Sequence, residues 1–452
     1  MIRSTKRRRV PEIRDEGSLD RISSLPDELI GHILSFLPTL SALQTSLLST
    51  RWKYLFTLTT SLSFDDQEYF DFHGIKTVNT AFEKFVSGVL TVHRVMSIQK
   101  FSLKLKRTCD YACSDFLLWI NIAILKGVRH LNLYISYQQI SLPNCILCSQ
   151  NLVALQINSV IHKVDLKVPM LVCLPSLRVC KLCKVTFLDA ESIKRFFVGC
   201  PQLKELILLH CQLAADHFQI SALALEKLTV YLCRGHMEID APNLASLSYL
   251  CTCSDVMTLL LKKSCSPSTV HVGFHSYEFH GPLSQHVLNL IIGAQNAREL
   301  ILTLNAPKLL IRLDDNQIPT YSKLESLHLD FCCKDTWKYV TFWLANSPQL
   351  ETIVFNMGLL HAATCGTEQE HKWRPSMELA PFSSNVKIIE VHQFKGGKTE
   401  LLLLNYLLEN ARALKRLILF KYGSMTIEEE LQVSKELLML PKTSTHCTIE
   451  LK

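Results

Sequence analysis

Between Leu25 and Phe56 the chain reads LPDELIGHILSFLPTLSALQTSLLSTRWKYLF, and its apolar residues recur with the period of a helix. Leu29, Ile30, Ile33, Leu34 and Leu37 fall on one helical face. Pro26 stands at a favoured first-turn position, Asp27 and Glu28 lie beside the positive end of the dipole, and Pro38 stops the run. A second set (Leu40, Leu43, Leu47, Leu48) and a third (Trp52, Leu55, Phe56) follow. A module of about forty residues cannot bury this much aliphatic surface internally, so the stretch calls for a partner surface.

The pattern then changes. A polar, aromatic link from Ser61 leads into a helix with Phe82, Phe85, Val86 and Val89 on one face, a spacer or cap. From Ile98 onward a unit L-x-x-L-x-L recurs, as at Val128-Leu131-Leu133, Leu152-Leu155-Ile157, Leu203-Leu206-Leu208, Leu324-Leu327-Leu329 and Leu414-Leu417-Leu419. Starts mostly 19 to 30 residues apart, with one gap of 36 before Val386, match the leucine-rich-repeat period. Alternation at L-x-L turns two aliphatic side chains inward on a short strand, and stacked strands close one core. Cys211, Cys233, Cys332 and Asn305 stand where the repeat carries Asn or Cys to bond backbone in the turn. Pro201, Pro242 and Pro348 precede units, and helical segments are expected at Ala190 to Val198 and Trp337 to Asn346.

The residues between the inward leucines face the other side of the sheet: Asn132, Gln156, Lys181, Ile207, Thr229, Ser248, Ile301, His328, Val354, Glu390 and Ile418. No single charge dominates them, which suits a protein or peptide better than a polyanion; a half-solvated face without a ligand is the alternative. A polar loop at 361–380 interrupts the repeats. A strand (Val386 to Phe394), a helix (Thr399 to Ala411), a strand (Leu414 to Phe420), a last helix and a closing strand (Cys447 to Leu451) then cap the array.

At 452 residues, 48% apolar and 20% charged, the chain is globular and long enough for several domains or one extended array. The net charge is +7, of which Arg3, Lys6, Arg7, Arg8 and Arg9 supply five. The body is nearly balanced, so no broad footprint for nucleic acid is expected, and KRRRVP reads either as a nuclear-import signal or as a solvated basic arm. With no export signal and no apolar run of membrane-spanning length, the protein is expected to be soluble in nucleus or cytoplasm, its 17 cysteines reduced.

Candidate chemistry is thin. GGKT (Gly396 to Thr399) sits between a strand and a helix but lacks the second glycine of a phosphate loop, the required position being His392; Thr399 is expected as N-cap with Glu400 in the first turn. The pairs Cys145/Cys148 and Cys180/Cys183 have zinc half-site spacing, yet Cys180 falls on an inward strand position, so buried thiols are expected and no metal. His271, His275 and His280 lie in a strand-like stretch and read as surface or core histidines. No nucleophile elbow, H-E-x-x-H pair or kinase set occurs, so a non-enzymatic chain without catalytic residue or cofactor is expected.

In LPDEL (Leu25 to Leu29), ILSFLP (Ile33 to Pro38) and SLLSTRW (Ser46 to Trp52), the chain resembles an F-box of the plant type. It departs at Phe56, where Trp is common, and at Gln44 and Thr50, which replace residues that are often basic. The stretch EVHQFKGGKTELLLLNYLLENARALKRLIL, from Glu390 to Leu419, resembles the FBD domain that follows leucine-rich repeats in plant F-box proteins. The resemblance implies an α/β fold: a three-helix F-box, then a leucine-rich-repeat solenoid with a curved, mainly parallel sheet and outer helices. The expected division is a flexible basic arm (1–18), F-box (19–60), linker and cap (61–95), repeats (96–360), loop insertion (361–380) and FBD domain (381–452).

The resemblance further implies a substrate receptor of a Skp-cullin-F-box ubiquitin ligase. Leu25, Pro26, Leu29, Ile33, Leu34, Leu37, Pro38, Leu47, Leu48 and Trp52 would dock a Skp adaptor and, through it, a cullin. The repeats would hold an unknown protein substrate. Alternatives are a repeat scaffold without ligase role and a nucleic-acid binder using the basic arm.

Overall fold

The computed structural model describes residues 21–452 except 23, 75–78, 108–112, 137–141, 162, 214–218, 253–256, 276–281, 305, 307–308, 310–318, 331–336, 360–384, 424, 442–443 and 445. The expected basic arm and the 361–380 insertion therefore lie outside the described residues, as do Asn305 and Cys332.

One sheet of fifteen parallel strands runs the length of the described chain in sequence order, from Ser61–Asp65 to Thr448–Leu451. Its register stacks the inward positions into columns: Leu131 lies opposite Leu155, then Cys180, Leu206, Leu228, Leu247 and Val270. These side chains join one apolar core that extends from Leu40 to Cys447. The expected solenoid is thus present, built from the period-two alternation. Cys211 and Cys233 close turns as the repeat pattern implied, their thiols donating to the carbonyls of Leu182 (3.3 Å) and Leu208 (3.5 Å) one repeat back.

The sheet starts earlier than the unit count suggested. Ser61–Asp65 pairs in parallel with Lys100–Leu105, and Leu62 and Phe64 point into the core. The stretch read as a polar link thus supplies the first strand and a helix. Thr59 occupies the unit's leading apolar position, where it bonds Phe56 O at 2.9 Å, which hides the repeat from a leucine count.

The outer side also differs along its length. Helices Ala190–Val198 and Trp337–Asn346 form where the periodicity placed them. Between them, Gln219–Ser221, Gly235–Asp240 and Met257–Leu261 form a second, three-stranded parallel sheet. The units starting at Leu203, Leu225 and Leu244 are short, and a short return leg spans its repeat more readily extended than coiled.

On helix Pro282–Gly293, His286 is buried and accepts the Leu259 amide at 2.9 Å through Nε2, which ties this helix to the outer strand. Burial, then the nearby His236, holds its pKa down to about 4. Between about 6.5 and 4 the unfolded chain binds a proton that the folded chain refuses, so this contribution is complete above 6.5 and is lost as pH falls through that window. Moving from pH 7 to pH 5 should cost about 2 kcal/mol through this group. Urea titrations of wild type and His286→Gln should show the variant's stability falling less over that interval.

Candidate docking surfaces

The N-terminal module is built from helix α1 (Asp27–Leu34), helix α2 (Thr39–Gln44) and two 3-10 segments, Thr45–Leu47 and Trp52–Leu58. The third helix is of the tighter 3-10 type, in a stretch where Ser and Thr side chains compete for backbone bonds: Thr45 and Thr57 hydroxyls donate to carbonyls three residues back. Pro26 is the N-cap residue of α1, one position earlier than expected, and Asp27 and Glu28 fill its first turn. Arg51 reaches back to this end, pairing with Asp27 at 2.8 Å and donating to the Leu25 carbonyl.

A small core of Ile30, Leu34, Ala42, Leu55 and Phe56 holds the module, with Leu25, Leu43, Trp52 and Leu58 packed against it. The opposite positions are bare. Leu29 (50% exposed), Ile33 (45%), Phe36 (78%) and Leu37 (39%) project from α1 and its exit, and Leu47 (86%) and Leu48 (69%) from the first 3-10 turn. Leu29 and Ile33, four residues apart, share a face. Of the ten sequence candidates, Pro26, Leu29, Ile33, Leu37, Pro38, Leu47 and Leu48 are exposed, while Leu25 and Trp52 are half-buried. Leu34 is corrected: only 2% exposed, it faces inward beside Ile30 and belongs to the module's own core. Phe36 was missed as a candidate, although ILSFLP made it visible as an unmatched aromatic beside a helix-stopping proline.

The module is fastened to the repeats. The Thr60 amide donates to Ser35 Oγ (2.8 Å), the Ser63 amide to Thr39 Oγ1 (2.7 Å), and Leu40 belongs to the repeat core. Gly31 lets α1 approach the last turn: a Cβ there would stand 2.8 Å from Leu58 Cβ. Gly31→Val should therefore overpack this contact and lower stability by about 2 kcal/mol, read as an earlier thermal transition.

The second surface is the open face of the large sheet. The eleven residues read as facing away from the core occupy its central row in register, nine of them half-buried and Val354 and Ile418 buried. His271, read as a surface or core histidine, joins the row in strand Thr269–His275, between Ser248 and Ile301. Its ring bridges the Tyr231 hydroxyl (3.3 Å) and the Thr303 hydroxyl (3.2 Å). His328 lies 3.3 Å from Glu299 and 3.2 Å from the Ser326 hydroxyl. Burial lowers the pKa of both histidines and raises that of Asp330 between them. Both rings are neutral at pH 7, leaving the middle of the face polar with little charge.

The remaining motifs resolve structurally. Cys180 lies in the core, and Cys183, three residues on, faces the other side of the strand, so the two cannot share a metal. Cys145 bonds Asn121 at 2.8 Å, and burial raises the pKa of Cys180 well above the usual range. His280 lies outside the described residues. At the glycine turn the N-cap of helix Lys398–Asn410 is Gly397, not Thr399. The turn encloses a carboxylate: Glu400, 4% exposed, accepts the amides of Lys395 (3.0 Å), Gly397 (3.4 Å) and Leu359 (3.4 Å). Burial pushes its carboxyl up against the opposing pull of those amides. Gly396, at φ +70°, passes so close to Val433 that a Cβ would meet its Cγ2 at 2.3 Å. Among the described residues no helix is long and apolar enough to cross a membrane.

Comparison with known families places residues 22–61 in the F-box domain and residues 89–440 in the family described as At1g61320/AtMIF1, LRR domain. Similar proteins in Arabidopsis thaliana include putative F-box protein At3g58860, 29% identical over 96% of each chain. F-box/FBD/LRR-repeat protein At2g04230 is 30% identical over 89% of each. F-box/LRR-repeat protein At3g59200 is 30% identical over 96% of this chain and 89% of its own.

Proposed function

This chain belongs to the F-box proteins that carry a leucine-rich-repeat domain, and from that premise we propose that it is the substrate-recognition subunit of a Skp-cullin-F-box ubiquitin ligase. The observation that carries the reading is the exposed apolar set Leu29, Ile33, Phe36, Leu37, Leu47 and Leu48 on a module whose own small core is already packed without them. Soluble chains seldom leave such a group uncovered, and a Skp-type adaptor is the cover this module type implies. A cullin would attach through the adaptor.

The open sheet face, with its neutral histidines and mixed aliphatic positions, would hold a protein target. We read residues 381–452, the far end of the array, as the FBD domain that the names of several relatives carry. The chain's contribution to ubiquitin transfer is then positional. With the module fastened to the first strands through Thr39 and Ser35, a bound target is held at a defined offset from the adaptor, which raises the local concentration of its lysines at the transfer site. Such a subunit works in nucleus or cytoplasm, and the basic arm would decide between them.

The direct test is co-expression of the full chain with a Skp adaptor and a cullin, followed by size-exclusion chromatography. Co-elution of all three supports the receptor reading. A chain that elutes alone while the adaptor binds the cullin leaves a repeat scaffold without ligase role.

A further inference from the structure

The residue immediately before each strand continues the sheet's hydrogen bonding and forms a row along one edge: the Lys204 amide donates to Arg178 O, Glu226 to Lys204 O, Glu325 to Arg298 O and Lys387 to Glu351 O. Farther along this row, three basic residues are neutralised by a carboxylate of an adjacent repeat. Lys204 pairs with Glu226 (2.5 Å), Arg298 with Glu325 (3.7 Å) and Lys387 with Glu351.

The start of the row breaks that rule. Arg129 and Arg178 occupy it on either side of Val153, and neither guanidinium has a hydrogen-bond or ion-pair partner among the described residues. Both line a cavity of about 590 Å³, and no carboxylate is among the residues around it. Lys126 adds a third cation, its ammonium donating to His93 O (2.9 Å) and Val95 O (3.3 Å) at the wall. The side-chain amides of Gln99, Asn151 and Gln202 complete the lining.

We propose that this cavity is a binding site for an acidic polypeptide segment of a partner protein, with Arg129 and Arg178 each taking one carboxylate. The two backbones are two strands apart, about 10 Å, a span that two carboxylates three residues apart on one extended chain match. The guanidinium fork matches a carboxylate bidentately, and primary amides pair with both the donors and the acceptors of a peptide backbone. The cavity exceeds what a single anion fills and lies within the range of built ligand sites. The chain's own N-terminal arm, carrying five cations before its first acidic residue, has the wrong sign to fill it. The site deepens the receptor reading, on which it rests only for calling the segment part of a target.

Fluorescence anisotropy in low salt, with the full chain and a labelled Gly-Glu-Ser-Ser-Glu-Gly peptide, tests it. The expected result is saturable binding that weakens at least tenfold when both glutamates become glutamines. Arg129→Ala and Arg178→Ala should each cost roughly fivefold, and the double variant should lose binding. Both residues are exposed, so circular dichroism should not change. Lys204→Ala, at the next and already paired position, should shift affinity less than twofold. The Arg129→Lys/Arg178→Lys variant should fall between, since the charge remains without the fork. Equal binding of the glutamine peptide, wild-type affinity in the double alanine variant, or binding confined to a phosphoserine version would each overturn the assignment. Adaptor capture by the double alanine variant, expected unchanged, separates failure of this site from failure of the receptor reading.

Discussion

Ile33→Asp, and Leu29→Asp beside it, should reduce capture of a purified Skp adaptor at least a hundredfold while the chain stays folded. Ile33 is 45% and Leu29 50% exposed in the free protein, so a carboxylate at either position remains solvated and asks little of the fold. In the docked state the same carboxylate would enter an apolar contact. The variant then loses about 1.5 to 3 kcal/mol of side-chain burial and adds the cost of an unpaired charge. Together these exceed the roughly 2.7 kcal/mol that a hundredfold represents. Leu34→Asp provides the contrast: its position is 2% exposed, and a charge there should unfold the module, visible in circular dichroism. Adaptor capture by Ile33→Asp within threefold of wild type would place the docking face elsewhere.

That contrast shows what periodicity can and cannot resolve. A helical period identifies the apolar residues of α1, but Leu34 and Ile33 are neighbours in sequence and both apolar. Which one faces inward depends on where Leu55 and Phe56 return, a contact over twenty residues away in the chain. The repeats were legible because their cause is local: each L-x-L needs only its own strand to alternate. The first strand escaped because Thr59 fills the leading apolar position by bonding backbone, a solution that no leucine template contains. The outer strands between Gln219 and Leu261 escaped because repeat length, and not residue type, decides between helix and extended return.

Polar function was harder to read than core. His271 looked like one of three surface or core histidines in a strand-like stretch until the register set it beside Tyr231 and Thr303. Arg129 and Arg178, separated by a whole repeat in sequence, share an edge only once the sheet is stacked. Glu400 was visible as a first-turn carboxylate, yet its grip on Leu359 joins residues 41 apart. In each case the residue types were on the page and the pairing was not, since pairing is set by register across the sheet.

Asp66→Ala should be the most destabilising single substitution at the contact between the first two repeats. Asp66 opens helix α3 (Asp66–His73) and is fully buried. Its carboxylate accepts the Lys106 amide at 2.8 Å and the Arg107 amide at 3.1 Å, so it fastens the turn after the second strand to the helix after the first. Its charge also meets the positive end of the helix dipole. Neighbouring Asp65 does different work: its side chain, 8% exposed, pairs with Lys104 (3.5 Å) and Lys106 (2.8 Å) and is the N-cap of α3, accepting the Glu68 amide at 3.5 Å. Alanine at 66 removes two charge-assisted bonds and leaves two amides without this acceptor, a loss of about 3 to 5 kcal/mol. Asparagine keeps one acceptor oxygen and should lose about half as much, whereas Asp65→Ala, losing a helix N-cap and two ion pairs to half-exposed lysines, should cost about 1 to 2 kcal/mol. Urea unfolding of the three variants checks this order. If Asp66→Ala unfolds within experimental error of Asp65→Ala, the carboxylate is not what holds the first two repeats together.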